Sequence, residues 1–148
     1  MYKHILVPLD GATLSELAAA HAVRLAKVLG SRISLLHVIS RFDSDTDHAV
    51  PLLASTAKEA FQLSAIGEAE AILSAGARLG RAHGVAMEGY FVFARNPYEA
   101  IIEEARARHC ELIVMASHGR RGLEALLLGS ETQKVLTHCQ IPVLVVRG

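Results

Sequence analysis

Four short runs of almost unbroken apolar residues limit the fold of this 148-residue chain more than any other feature: HILVPLD (4–10), RISLLHVI (32–39), LIVMAS (112–117) and PVLVVRG (142–148). A strand with one wet face alternates apolar and polar residues, whereas a run that is apolar at both parities needs cover on both faces. MEGYFVFA (87–94), rich in aromatic and β-branched residues, is read as a fifth strand. Between the strands the apolar period becomes helical. Leu14, Leu17, Ala18, His21, Leu25, Val28 and Leu29 share one helical face, with Gly30 as a stop. The segment from about Leu52 to His83, rich in Ala, Leu, Glu and Arg, reads as a long helix in spite of Gly67, Gly76 and Gly80. A helix over Pro97 to His109 begins on proline and sets Tyr98, Ile101, Ile102 and Ala105 on a common face. Thr13-Leu14-Ser15-Glu16 and Ser130-Glu131-Thr132-Gln133 each carry the capping-box pattern, the second opening a helix to about His138. Strands alternating with helices predict an α/β fold, a doubly wound parallel sheet with helices on both faces. Residues 1–148 are expected to form one domain, with the polar stretch FDSDTDHAVP (42–51) as a surface loop.

Charge narrows the function classes. Fifteen basic and fifteen acidic side chains cancel, and no basic run or tail is present, so neither nucleic acid nor an anionic membrane is an expected partner. Aromatics are 5% and Trp is absent, which leaves little for stacking bases. The N-terminal MYKHILVPLD lacks the pattern of a signal peptide, and no apolar run approaches the ~20 residues of a membrane span. The expectation is a cytoplasmic protein with its two cysteines reduced. Cys110 and Cys139 each follow a histidine just before a strand; with no zinc-site spacing, they read as small apolar residues at helix exits.

In open α/β sheets ligands sit beyond the carboxyl ends of the strands, where the strand order reverses. Two segments qualify: Leu9-Asp10-Gly11 after the first strand, and the loop from Ala116 to Gly122 after the fourth. The GxxxxGK[ST] pattern of a P-loop is missing. What remains is a loop whose backbone N–H groups around Gly119 can face an anion, opposite the N-terminus of the helix beginning near Ser130. Asp10 is placed to take ribose hydroxyls, and the strand end at His37-Val38 to offer backbone groups to a base edge. Each also has a plainer reading, as turn glycines, a helix cap and solvated loop side chains.

The stretch ASHGRRGLEALLLGS, in which nine residues separate Gly119 from Gly129-Ser130, resembles the nucleotide-binding signature of universal stress proteins, G-x2-G-x9-G-[ST]. YKHILVPLDG, LLHVI, ELIVMASHGRRGL and IPVLVVRG extend the resemblance along nearly the whole chain. It implies a five-stranded parallel sheet of order 3-2-1-4-5, Rossmann-like and of the adenine nucleotide alpha hydrolase type. It also implies a homodimer as the usual assembly and, in one branch of the family, bound ATP or AMP; ADP, and Mg²⁺ beside ATP, are further expected occupants. By the same resemblance Pro8, Leu9 and Asp10 meet adenine and ribose, and the Val38 backbone reads the adenine edge. Met115, Ala116, His118, Gly119 and Arg120 line the ribose and phosphate side. Gly129, Ser130, Glu131 and Thr132 take the phosphates through N–H groups and hydroxyls. Two positions depart from the pattern. Ala116 stands where the signature has its first glycine, and a methyl there is harmless only at negative φ. Glu131 puts an acid in the first helical turn, where it competes with phosphate for the helix dipole.

The function this resemblance implies is that of an adenine-nucleotide-binding regulatory protein in a stress response. A slow ATPase or phosphotransferase using His118 and Ser130 is one alternative, and a nucleotide-independent partner-binding module is another. No general base, metal cluster or nucleophile triad accompanies the glycines, so catalysis is not expected. In the implied strand order the last strand is an apolar edge, and antiparallel pairing of residues 142–147 with a second copy would cover it with two-fold symmetry.

Overall fold

The computed structural model describes residues 1–41, 51–119 and 127–148, with the backbone alone for 51–55. Among the described residues five strands, β1 (His4–Pro8), β2 (Arg32–Ser40), β3 (Met87–Ala94), β4 (Leu112–Ala116) and β5 (Val143–Val146), alternate with four helices, α1 (Thr13–Leu29), α2 (Pro51–His83), α3 (Pro97–Ala107) and α4 (Ser130–His138). The strands are all parallel, in the order β3-β2-β1-β4-β5, as the sequence implied. The chain winds outward from β1 to β3 and then crosses back to β4, so the order reverses between β1 and β4. The expected loop 42–51 lies outside the described residues except for Pro51, which opens α2.

Side-chain alternation divides the core. Ile5, Val7, Leu9, Ile33, Leu35 and Val114 point toward α1 and α2, whereas Leu6, Leu36, Ile113 and Met115 meet Ile101 and Ala105 of α3 and Val135 of α4. Cys110 packs in the second layer, where burial pushes its thiol up to about 11. Two glycines in α2 are explained by closeness to the sheet. A Cβ on Gly76 would lie 2.7 Å from Leu35 Cδ1, and one on Gly80 would lie 2.0 Å from Met87 Sδ. The helix accepts the glycine cost of roughly 1 kcal/mol each and gains close contact with β2 and β3.

The helix α1 corrects its expected face. Ser15, Ala18, Ala19, Ala22, Val23 and Ala26 are buried, while Leu17 and His21 are exposed and Val28 is 83% exposed. Of the expected face, Ala18 is buried and Leu14 and Leu25 pack against the core, whereas the small residues Ala19, Ala22 and Ala26 let the helix axis approach the sheet and Leu17, His21 and Val28 face out. Neither capping box forms. Ala12 holds the N-cap of α1 and Gly129 that of α4, each one residue before the expected Thr13 and Ser130, with no side-chain cap bond at either. Ser15 Oγ instead donates to the Ala12 carbonyl at 2.8 Å. Strand β1 stops at Pro8, short of the expected Asp10, because Asp10 turns the chain: its Oδ1 accepts the Ala12 N–H at 2.9 Å and Gly11 takes φ +85°.

Candidate functional site

The carboxyl ends of β1 and β4 deliver two short loops to one place. Beyond β1, Leu9 donates its N–H to the Leu36 carbonyl at 2.8 Å, and its side chain is buried beneath Gly76 of α2. Beyond β4, Ser117 and His118 lead to Gly119. A Cβ on Gly119 would lie 2.7 Å from Asp10 Oδ2, so a side chain there would push aside the carboxylate that the β1 loop sets against the β4 loop. Gly129 closes the third side. Its N–H donates to the Ser117 carbonyl at 2.7 Å, and a Cβ there would sit 3.0 Å from His118 Cα. Asp10, His118, Gly119, Gly129 and Ser130 therefore share one mouth. At it the N-cap of α4, Gly129, makes no side-chain cap bond and Ser130 is exposed.

Other expected site residues lie elsewhere. Met115 is buried in the layer under α3 and α4, and Thr132 is 3% exposed with its hydroxyl donating to the Ala116 carbonyl at 2.9 Å. That hydroxyl ties α4 to β4 and is not presented to a phosphate. Leu9 offers at most a wall, its side chain being core. Pro8 is the last residue of β1, paired with Leu36. Ala116 is extended backbone in β4 and is absent from the positive-φ residues, so its methyl packs into the first core layer without strain. Arg120 lies outside the described residues.

Glu131 does not compete for the mouth. Its Oε2 accepts the Tyr98 N–H at the start of α3 at 2.8 Å, and its Oε1 lies 3.6 Å from Lys134 Nζ. Tyr98 is held by α4 from two further positions, with His138 at 5.4 Å ring to ring and Lys134 Nζ 5.4 Å from its centroid. Pro97 has no N–H and Asn96 makes no side-chain cap bond, so Glu131 supplies an anion to α3 from the neighbouring helix.

Two side chains of the site have roles that were not expected. Ser117 is buried, donates its N–H to the Val146 carbonyl at 2.8 Å, and has its hydroxyl 3.2 Å from His118 Nδ1. Its position inside the glycine signature was the only available signal. His37 was expected to act only through its backbone, yet its ring Nδ1 meets the Leu9 carbonyl at 2.7 Å.

Val38 lies where β2 outruns β1. The β1–β2 ladder ends at Pro8 and Leu36, while β2 continues to Ser40. Arg32 N–H and Leu36 C=O bond toward β1, and Ile33 N–H bonds toward β3. Backbone groups alternate sides along a strand, so the N–H and C=O of Val38 face the space past the end of β1.

Five parallel strands whose order reverses between β1 and β4, with Asp10, Gly119 and Gly129 brought together at that point, define an α/β domain of the doubly wound class. Residues 1–147 match the model of the Universal stress protein family, and the chain belongs to that family. It is 31% identical over 147 residues to Universal stress protein MJ0531 of Methanocaldococcus jannaschii, covering 99% of this chain and 83% of that protein. The solved structure of MJ0577 from the same organism superposes with a TM-score of 0.85 at 27% identity, covering 100% of this chain and 97% of that one. A universal stress protein of Archaeoglobus fulgidus, solved in complex with dAMP, has a TM-score of 0.72 at 18% identity, covering 99% and 98%. At that identity it shows the shared fold.

Proposed function

We propose that this chain binds an adenine nucleotide at the mouth between the β1 and β4 loops and acts as a nucleotide-responsive regulatory protein. The observation that carries the reading is the fit of Asp10 against Gly119, beside an α4 N-terminus whose N-cap, Gly129, has no side chain to cap it. Asp10 is the ribose ligand in this reading, Val38 the base-edge reader, and Gly119, Gly129 and Ser130 the phosphate contacts. The dAMP complex of a protein of the same fold supports the ligand class. A charge at a helix N-terminus contributes about 0.3–1 kcal/mol, up to ~2 when partly buried, against the ~8 kcal/mol of micromolar binding. Ribose and base must therefore supply most of the affinity. His118 meets the neutral hydroxyl of Ser117, whereas a catalytic base is ordinarily oriented by a charged or carbonyl partner, so binding is preferred over hydrolysis.

In the same proposal two copies pair through β5, the terminal strand, whose Leu144 is 43% exposed. The test of ligand binding is mass spectrometry of nucleotide released from the purified protein, followed by thermal unfolding with AMP, ADP or ATP. Binding at a hundred times Kd should add about 2.7 kcal/mol. No released nucleotide together with no thermal shift at millimolar concentration would overturn the reading.

A further inference from the structure

Continued by one step, the β1–β2 ladder would give the Leu9 carbonyl to the Val38 N–H, just as the Leu36 carbonyl takes the Leu9 N–H. The structure gives that carbonyl to the imidazole of His37 instead, at 2.7 Å. A carbonyl only accepts, so Nδ1 carries the hydrogen and donates. The neighbouring side chain thus satisfies the last acceptor of the β1 edge, and the peptide of Val38 is left facing the mouth with a donor and an acceptor on the same side. The residue that follows Leu9 is Asp10, so the same bond fixes the chain that carries the carboxylate to Gly119.

From this we infer that His37 is a positioning residue for base recognition: by capturing the Leu9 carbonyl it keeps the Val38 peptide available to a ligand. The inference rests on the nucleotide reading above for its ligand, but its structural half does not. The ligand class it favours is a base with an amino donor beside a ring-nitrogen acceptor, as in adenine. A 6-oxopurine reverses that pattern, presenting an acceptor beside an N–H donor, and leaves both Val38 groups mismatched.

The experiment compares the wild-type chain with His37→Phe, which keeps an aromatic ring without a donor, and with His37→Asn, whose amide N–H lies near the place of Nδ1. Amide hydrogen exchange, read residue by residue without ligand, should show Val38 more protected in His37→Phe, because the released Leu9 carbonyl turns to it, and near wild type in His37→Asn. Titrations with AMP and IMP should show AMP weakened about tenfold by His37→Phe with IMP little changed, and His37→Asn restoring most of the preference. Unchanged Val38 exchange in His37→Phe would overturn the inference whether or not any nucleotide binds. Equal loss of AMP and IMP would also overturn it, as the mark of general structural damage. If the exchange shift occurs while the wild-type chain binds neither nucleotide, the nucleotide reading fails and the structural role of His37 stands.

Discussion

The carboxylate of Glu131 holds the backbone N–H of Tyr98 at 2.8 Å, so the acid at the start of α4 serves as the anion at the start of α3. Two helix N-termini lie side by side. The α3 start is filled from within the protein, and the α4 start is the one assigned to phosphate in the proposed function.

Glu131→Ala should lower stability by about 1 kcal/mol, the ordinary loss when a helix start loses its cap, measured as a shift in the denaturant midpoint. Because the carboxylate is committed to Tyr98, removing it should leave nucleotide affinity within about twofold, apart from a small gain in overall field. A large tightening of ATP in a calorimetric titration would show that the carboxylate faces the phosphates in solution.

Gly119→Ala tests the fit of the two loops. Its methyl would meet the Asp10 carboxylate at 2.7 Å, and the carboxylate, already tied to the Ala12 N–H, must give way. The expected result is a loss of ribose-dependent affinity, read as AMP and 2′-deoxy-AMP binding alike, with a stability cost of about 1–3 kcal/mol. Retained discrimination between the two would remove Asp10 from ribose recognition.

His4 sets a pH dependence away from the mouth. Its ring is buried, with Nε2 2.8 Å from Ser34 Oγ, and burial first, then the charge of Arg32, lowers its pKa from 6.5. The unfolded chain then takes up this proton before the folded one does. Stability from this residue is present in full above about pH 6.5, falls as pH drops below that value, and levels off below the folded pKa, with a slope of at most about 1.4 kcal/mol per pH unit. The double variant His4→Phe, Ser34→Ala should lose this component, seen by comparing urea midpoints at neutral and mildly acid pH. An identical acid sensitivity in both chains would assign it to other groups.

Val145→Pro tests the proposed pairing through β5. Proline removes an N–H and cannot continue a ladder, so light scattering should show monomer or aggregate in place of dimer. An unchanged dimer would move the interface to another surface.

The layering of the fold was legible because two strongly apolar parities along a strand permit little else. The packing face of α1 was legible only in Leu14, Ala18 and Leu25, because periodicity weights large residues, while contact with a flat sheet also favours Ala19, Ala22 and Ala26. The capping boxes misled by one residue: their patterns are local, but the helix starts are fixed by the Asp10 turn and by Gly129 against Ser117. In the site, Asp10 and Gly119 could be named from sequence, yet their mutual fit depends on β1 and β4 being neighbours. The destination of Glu131 was hidden for the same reason, since Tyr98 lies on another helix. Thr132 has the residue type of a phosphate ligand, and only its burial assigns it to α4 packing.

The strand order has a consequence for assembly. The sheet ends in two unlike strands: β5, four residues long, and β3, eight residues long with Glu88 and Gly89 exposed at its start. Like edges meeting across a two-fold axis close the assembly after two copies, whereas β5 of one copy adding to β3 of the next would leave a fresh edge each time and grow without end. The mismatch in length and the charge on β3 work against that second course. Lengthening β5, or neutralising Glu88, would therefore move this protein toward fibres.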